Sequence, residues 1–303
     1  MEASVEHFKY AINKTLLSPN SPEFGMLVTP ILSYWLVASF YDMLDILSPS
    51  FLQQFRVTRI SRGPDNRLSK GHVVQRVLLQ HLIQFSLGML VVLVDTDQCT
   101  MKPAKGWVQS CLQFGLGMFI MDTYQFWIHR WMHVNRYLYK HLHSHHHRLN
   151  IPYAYGALYN HPLEALLLDT LGGVITLYAS GMSCEVGTWL MTFATIKTVL
   201  DHSGYIFPIN PLHDLFPNSA AYHDIHHDVR NIKKNYSQPF FTHWDWLMGS
   251  YMSSEGFHLH HAGKLSSASS SVKCLASDEA LLNNAGPASD QEDAASVSKE
   301  KTS

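Results

Sequence analysis

The sequence predicts an all-α protein with about four membrane spans and a histidine-rich helical cap on the cytosolic side of the membrane. Three observations support this prediction: long apolar runs, few charged side chains and histidines that recur in clusters. Only 15% of the 303 residues are charged, whereas a soluble domain carries about 25%. The 20 histidines nearly equal the 22 lysines and arginines together.

The apolar runs define the predicted spans. Residues 25–47, 77–94 and 107–128 each reach the roughly 18 residues that a helix needs to cross a bilayer. Two shorter runs, 163–180 and 184–200, flank the sequence SGMS and predict a helical hairpin that enters the membrane and returns. A soluble protein with buried helices is the alternative, because several of these runs contain Gln, His or Asp.

The loop after the first run predicts the orientation in the membrane. Its charged side chains include one acid, Asp65, and several bases, which are Arg56, Arg59, Arg62, Arg67, Lys70 and Arg76. The positive-inside rule places such a loop in the cytosol. The N-terminus is then lumenal, where Asn13 in NKT is a potential glycosylation site, and residues 129–161 and those after about 201 face the cytosol.

Composition divides the chain into three predicted segments. Residues 1–24 form an N-terminal lumenal segment and residues 25–252 form the membrane domain. Residues 253–303 are predicted to be a disordered cytosolic tail, because this part is rich in Ser, Ala and acids. Lys299 and Lys301 in the final SKEKTS match a dilysine retrieval signal, which predicts the endoplasmic reticulum membrane.

Cysteine usage and net charge argue against other classes. The four cysteines show no CxxC spacing, so we expect neither a disulfide framework nor a thiolate zinc site. Cys111 and Cys184 lie in apolar runs and are expected to be free buried thiols. The net charge of −2 provides no basic field for nucleic acid.

Histidine spacing predicts a metal site. The sequence HRWMH places two histidines at i and i+4 on one helix face, and HSHHH (143–147) and HDIHH (223–227) each contain an HxxHH motif. The predicted ligands are His129, His133, His143, His146, His147, His223, His226 and His227. Eight imidazoles suit two metals with open positions better than one tetrahedral zinc. Imidazole suits Zn, Cu, Fe and Ni alike, so the spacing leaves the metal open.

Further side chains are candidates for the same site. His202 in DHSGY and His161 in NHPLE are additional candidate ligands at the cytosolic end of the predicted hairpin. His141 and His145 leave the register of the second motif open. Four carboxylates could accept the second N–H of a ligand histidine or could instead cap helices; they are Asp122, Glu164, Asp201 and Asp224.

The order HxxxH, HxxHH, HxxHH, with membrane spans between, resembles the fatty acid hydroxylase superfamily of membrane di-iron oxygenases. The stretches HSHHHRLNIPYAYGALYNHPLEALLLDT and AYHDIHHDVRNIKKNYSQPFFTHWDWLMGSYM are similar to the sphingoid base 4-hydroxylases, especially those of plants. The resemblance covers about residues 25–252 and implies that the cap holds a di-metal site whose ligands are the eight histidines of the three motifs, together with His202. It implies no catalytic residue beyond them.

This resemblance implies hydroxylation at carbon 4 of sphinganine or dihydroceramide. It further implies two iron ions, for which zinc could substitute in purified protein, together with O2 and electrons from NAD(P)H. A cytochrome b-type donor with its reductase is the implied electron source, and ceramide synthase-type enzymes are further expected partners. Free base versus ceramide, acyl-chain preference, oligomeric state and the donor's docking surface stay open.

Three alternatives remain beside this function. The same scaffold could perform sterol demethylation, fatty acid 2-hydroxylation or desaturation, because substrate choice depends on pocket shape. A zinc-dependent membrane hydrolase would need a positioned general base, and the sequence indicates none. A metal transporter would place its ligands inside the spans, whereas these histidines lie beyond the span ends.

Overall fold

The computed structural model describes residues 21–47, 49–57, 66, 68–94 and 106–254. Within these ranges the regular elements are helices, together with one isolated antiparallel bridge between Arg56 and Tyr205. The predicted all-α class is therefore confirmed for the described part of the chain.

The described residues form nine helices, and some neighbouring pairs are joined by only one or a few residues. In chain order they are α1 (Pro22–Leu47), α2 (Lys70–Val94), α3 (Trp107–Val134), α4 (Arg136–His141), α5 (Pro162–Ser180), α6 (Cys184–His202), α7 (Pro211–Leu215), α8 (Ala220–His227) and α9 (His243–Leu247). Three 3-10 segments, Ser50–Phe55, His143–Arg148 and Ala154–Gly156, lie between them, and α5 contains a π-helical turn at Leu166–Leu171.

Each predicted apolar run forms a helix. The runs 25–47, 77–94 and 107–128 lie in α1, α2 and α3, and the predicted hairpin is formed by α5 and α6. Its turn contains Gly181 at a φ of 63°, a conformation that favours glycine. Ser183 then caps α6 by accepting a hydrogen bond from the backbone N–H of Val186.

Two helices of the described residues are long and apolar enough to cross a membrane. They are α1 and α5, with mean hydropathies of 1.4 and 1.3 in their most apolar windows. Large apolar side chains are also exposed on other helices, such as Leu82 on α2, Leu112 on α3 and Trp189 on α6. A lipid-facing surface explains these exposed side chains. The full set of four spans with a cytosolic cap stays a prediction.

Two cores hold the helices together. The first joins α1 to α6 and to the residues after the second histidine motif, and it buries Tyr34, Ala38 and Val199 completely. The second joins α3 to α5 and α6 around Leu190 and Phe240. This packing brings the C-terminal ends of α3 and α6 near the histidine-rich segments.

The acids at the end of the first predicted span are paired. Asp42 forms an ion pair with Lys70, and Asp45 forms one with Arg56. The hydroxyl of Tyr205 also donates to Asp45 at 2.9 Å. Basic side chains after α1 therefore neutralise the carboxylates that close its apolar run.

The expectation of a free buried thiol was wrong in one respect at each of the two described cysteines. Cys184 is disulfide-bonded, and Cys111 is free but exposed on α3. Apolar sequence context did not indicate either state, because an outer helix face that meets lipid is also apolar. Asn13, Arg59, Arg62, Asp65, Arg67, Lys299, Lys301 and nearly all of the predicted tail lie outside the described residues.

Candidate metal centre

Nine histidines form two clusters of converging side chains. The five-histidine cluster contains His129, His133, His143, His147 and His226, and the four-histidine cluster contains His146, His202, His223 and His227. Within each cluster the candidate ligand atoms lie within 4.8 Å of one another. All nine side chains are at most 8% exposed.

Each HxxHH motif contributes to both clusters. The segment His143–Arg148 is a 3-10 helix and not the α-helix that the motif suggested. It nevertheless directs His143 and His147 to the five-histidine cluster and His146 to the other. On α8 the division is reversed, because His226 joins the first cluster while its two partners join the second. Each HxxHH motif thus provides side chains to both clusters and links them.

The Nδ1 atoms fix the orientation of most of these rings. His129 contacts the carbonyl of Tyr236 at 2.7 Å, and His143 contacts Oε1 of Glu164 at 2.5 Å. Four more Nδ1 atoms contact backbone carbonyls: His146 to Tyr159, His202 to Thr198, His226 to Lys234 and His227 to Leu149. These oxygens only accept, so Nδ1 carries the proton and Nε2 presents a lone pair.

The Nε2 atoms meet inside the clusters at distances that suit a shared cation. His129 and His143 approach to 3.0 Å, and His143 and His147 to 3.0 Å. Between His129 and His143, whose Nδ1 atoms both donate, two lone pairs face each other, and they repel unless a cation lies between them. Metal–imidazole bonds of about 2.1 Å at right angles would place two nitrogens roughly 3.0 Å apart. The donor set therefore fits a metal ion.

In the four-histidine cluster the same contact occurs between His146 and His202, at 3.5 Å. His223 is 3.1 Å from both His202 and His227 through its Nε2 atom. With four ligand nitrogens against five, this cluster leaves more of its coordination positions free.

Burial keeps these imidazoles neutral. Desolvation lowers the pKa of His143 to about 3 and that of His146 to about 4. Desolvation, followed by repulsion from neighbouring histidines, also lowers the pKa of His147, His223 and His227 well below the usual 6.5. The rings are thus neutral at neutral pH, so each leaves one nitrogen unprotonated, as metal ligation requires.

The predicted carboxylates have different roles. Glu164 is fully buried and accepts from His143, as expected for a carboxylate that orients a ligand. Asp122 instead accepts the backbone N–H groups of Phe240 and Phe241. Asp201 pairs with the buried Lys197 at 2.5 Å. Asp224 is buried on α8, next to His223 in the chain.

Three histidines near the motifs lie outside both clusters. The Nδ1 atom of His161 accepts from the N–H of Leu163 and caps α5, whose first residue is a proline. His145 packs against this ring with centroids 5.2 Å apart, and His141 packs against Tyr137. In the structure His161 caps α5, and the side chains of the second motif that lie in the clusters are His143, His146 and His147.

The profile of the fatty acid hydroxylase family matches residues 114–250, a range that contains all nine cluster histidines. Sphinganine C4-monooxygenase 2 of Arabidopsis thaliana is 44% identical over 77% of this chain and 89% of its own length. The chain belongs to the fatty acid hydroxylase family. Two candidate membrane helices and these relatives make it a membrane protein.

Two further relatives cover a similar share of the chain, one of them named for a C4 hydroxylation and one for a different reaction. The sphingolipid C4-hydroxylase of Schizosaccharomyces pombe is 35% identical over 78% of this chain and 91% of its own length. A very-long-chain aldehyde decarbonylase of Oryza sativa is 43% identical over 74% of this chain and 86% of its own length. No solved structure matches the chain.

Sequence reasoning missed a residue that supports the hydroxylase's five-histidine cluster. Asp245 is fully buried and accepts from the backbone N–H groups of Tyr236 and Ser237. It also accepts from the hydroxyls of Tyr222 and Ser250. Asp245 thus fixes the backbone segment around Tyr236, and the carbonyl of Tyr236 orients His129. A lone aspartate in HWDWL gives no sequence signal for this role.

A cavity lies beside both clusters of the hydroxylase. His129 and His143 line it from the first cluster, and His146 and His202 from the second. The remaining wall includes polar side chains and apolar ones, among them Gln125, Asn160, Asp169, Ala157 and Leu168. Side chains from both clusters therefore border the same cavity.

Proposed function

We propose that this chain hydroxylates carbon 4 of the long-chain base of sphinganine or dihydroceramide and so forms phytosphingosine-type sphingolipids. The similarity to Arabidopsis sphinganine C4-monooxygenase over 89% of that protein carries this proposal. The fission yeast C4-hydroxylase supports it at greater distance. The two buried histidine clusters provide a site for the oxygen chemistry that such a reaction needs.

Two iron ions are the proposed cofactor, one in each cluster. Five converging imidazole nitrogens exceed the four ligands of a typical zinc site, which supports iron. The proposed ligands are the nine cluster histidines. Iron would supply the activation of O2 that hydroxylation of an unactivated methylene requires.

The chain's own groups would prepare the site for this chemistry. The Nδ1 contacts to Tyr236, Glu164 and other acceptors hold each ring in one tautomer and orientation. Burial of all nine rings keeps bulk water from the metal positions. The adjoining cavity would place carbon 4 of the lipid between the clusters, and fixed ligands limit the need for reorganisation during the reaction.

Electrons are proposed to come from NAD(P)H through a reductase and a cytochrome b-type donor. Exposed Arg148 directly follows His147, and Lys233 is exposed next to Lys234, whose carbonyl orients His226. These bases would attract an acidic donor to the side of the protein nearest the metals. Ceramide synthase-type enzymes are proposed as further partners because they share the sphingoid base as a substrate class.

We further propose that the protein lies in the endoplasmic reticulum membrane. The two clusters would face the cytosol, and residues 25–252 would form the membrane domain. The paired basic residues after α1 support a cytosolic loop there. The disulfide at Cys184 supports a lumenal tip for the α5–α6 hairpin, because disulfides persist in the oxidising lumen.

A second candidate function is conversion of very-long-chain aldehydes. The rice aldehyde decarbonylase is nearly as similar to this chain as the Arabidopsis monooxygenase. Both reactions would use the same histidine clusters, so only the products separate them.

Lipid analysis tests the proposed function. Cells that lack 4-hydroxylated sphingoid bases would express the chain, His226→Ala or His141→Ala, and mass spectrometry would measure phytosphingosine, alkanes and sterols. We expect phytosphingosine with the chain and with His141→Ala, whose ring lies outside the clusters, but not with His226→Ala. Alkanes without phytosphingosine would favour the second candidate. Neither product, with all three proteins in the membrane, would refute both.

A further inference from the structure

We propose that Asp169 binds the ammonium group of a free sphingoid base and thereby positions carbon 4 at the metal clusters. This inference rests on the proposed C4 hydroxylation and names the group that selects the substrate. It assigns a polar subsite to one wall of the cavity, and it favours the free base over ceramide.

The chemistry of the substrate requires a polar subsite close to the metals. In a sphingoid base, carbon 4 is bonded to carbon 3, which carries a hydroxyl, and carbon 2 carries the amine. The charged head must therefore lie within a few ångströms of the atom that reacts. Burying an ammonium group there without a partner would be costly, so the cavity must supply an acceptor.

The cavity beside the clusters contains such an acceptor. Two carboxylates line it, Glu164 and Asp169. Glu164 holds His143 through Oε1 at 2.5 Å, which commits this side chain to orienting a candidate metal ligand. Asp169 has one hydrogen bond among the described residues, from Nε2 of Gln84 at 3.5 Å, the long end of the range. Its carboxylate can therefore accept strong hydrogen bonds from a ligand.

The rest of the cavity wall fits the head of a sphingoid base. The amides of Gln125, Asn160 and Gln238 can pair with the hydroxyls on carbons 1 and 3. Ala157 and Leu168 provide apolar contact for the hydrocarbon chain. One carboxylate, several amides and an apolar side together match an amino-diol attached to an alkyl chain.

The backbone conformation at Asp169 also supports a functional role for this residue. Asp169 lies in the π-helical turn of α5, Leu166–Leu171. Single π-helical turns inside α-helices are frequent at functional sites. Here the same helix carries Glu164 toward His143 and Asp169 toward the cavity.

Charge then discriminates between the two possible substrates. A carboxylate pairs with the ammonium of sphinganine through a charge-assisted hydrogen bond. The amide nitrogen of a ceramide is neutral, so it gains less from Asp169. Replacing Asp169 with asparagine keeps the shape and removes the charge, and it should affect the free base more strongly.

The test compares sphinganine with N-acetylsphinganine in purified, iron-loaded enzyme supplied with an electron donor. We expect Asp169→Asn to lower the ratio of kcat/KM for sphinganine over N-acetylsphinganine by tenfold or more. Asp214→Asn, an exposed aspartate on α7, should leave the ratio unchanged. The ratio is independent of how much of each preparation is folded. An unchanged ratio in Asp169→Asn overturns the proposal while C4 hydroxylation stands.

Equilibrium binding separates this inference from the proposed function. Radiolabelled sphinganine should bind the wild-type protein at least tenfold more tightly than N-acetylsphinganine, a comparison that needs no variant. Tight binding that Asp169→Asn weakens, without C4 hydroxylation by the wild type, would keep the subsite and refute the proposed reaction. Equal binding of the two lipids by the wild type would overturn the subsite.

Discussion

The Nε2 atoms of His129 and His143 lie 3.0 Å apart, although the Nδ1 atom of each ring already donates a hydrogen bond. Neither Nε2 then has a proton to offer the other. Two lone pairs at this separation are favourable only around a cation. This pair therefore gives the most specific indication of metal binding, because it does not depend on histidine abundance.

Glu164 should strengthen metal binding through His143. Replacing it with glutamine removes the negative charge that makes the imidazole more basic. We expect Glu164→Gln to lower metal affinity by about ten- to a hundredfold. Competition with a chelator during iron titration would measure the change. Glu185→Gln, on the exposed first turn of α6, is the matched control, and equal affinities in the two variants would contradict the role of Glu164.

Asp245 should stabilise the backbone that supports the five-histidine cluster. Its carboxylate accepts from two backbone N–H groups and two hydroxyls, and an asparagine can accept through only one oxygen. We expect Asp245→Asn to lower the free energy of unfolding by about 2–3 kcal/mol. Thermal melts in detergent would measure this against Asp214→Asn. A melting temperature equal to that of the control would show that these hydrogen bonds contribute little.

Lys197 and Asp201 form a buried ion pair. Replacing one partner alone should lower the free energy of unfolding far more than replacing both by apolar residues. Lys197 is fully buried and donates to both oxygens of Asp201 and to the carbonyl of Asn218. Lys197→Met should destabilise by about 3–5 kcal/mol, because it leaves a buried carboxylate unpaired. The double variant Lys197→Met/Asp201→Leu should recover part of that loss. A double variant less stable than the single one would contradict this account.

Acid should destabilise the metal-free protein. Burial lowers the pKa of His143 to about 3 and that of His146 to about 4, against about 6.5 in the unfolded chain. Between these values the unfolded chain binds more protons, so the free energy of unfolding falls as the pH falls below about 6.5. Melts of metal-free protein at pH 7.5 and pH 5 would measure this effect. A melting temperature that is higher at pH 5 would contradict the sign.

The three histidine motifs in the sequence contain eight of the nine histidines that the structure brings into the two clusters. The i, i+4 spacing of His129 and His133 and the two HxxHH motifs required only local geometry. His202, near in space to His223 but 21 residues away in sequence, was recognised by its place after a predicted span. Its Nε2 contact at 3.1 Å follows from the packing of α6 against α8.

The remaining features depend on tertiary packing. Backbone carbonyls such as that of Tyr236 orient the rings, and any residue type could supply them. Asp122 seemed suited to a ligand histidine because it shares a helix stripe with His129, but it satisfies the N–H groups of Phe240 and Phe241. His161 precedes Pro162 and caps α5, a role that its position in a loop did not indicate.

Metal content tests the central claim, which is that each cluster holds one metal ion. Mass spectrometric metal analysis would be carried out on protein that has been stripped, reconstituted with ferrous iron and freed of excess metal. The account predicts two irons per wild-type chain and two in His141→Ala. It predicts about one in His129→Ala, from the five-histidine cluster, and about one in His202→Ala, from the other. One iron or none in the folded wild-type protein would contradict it.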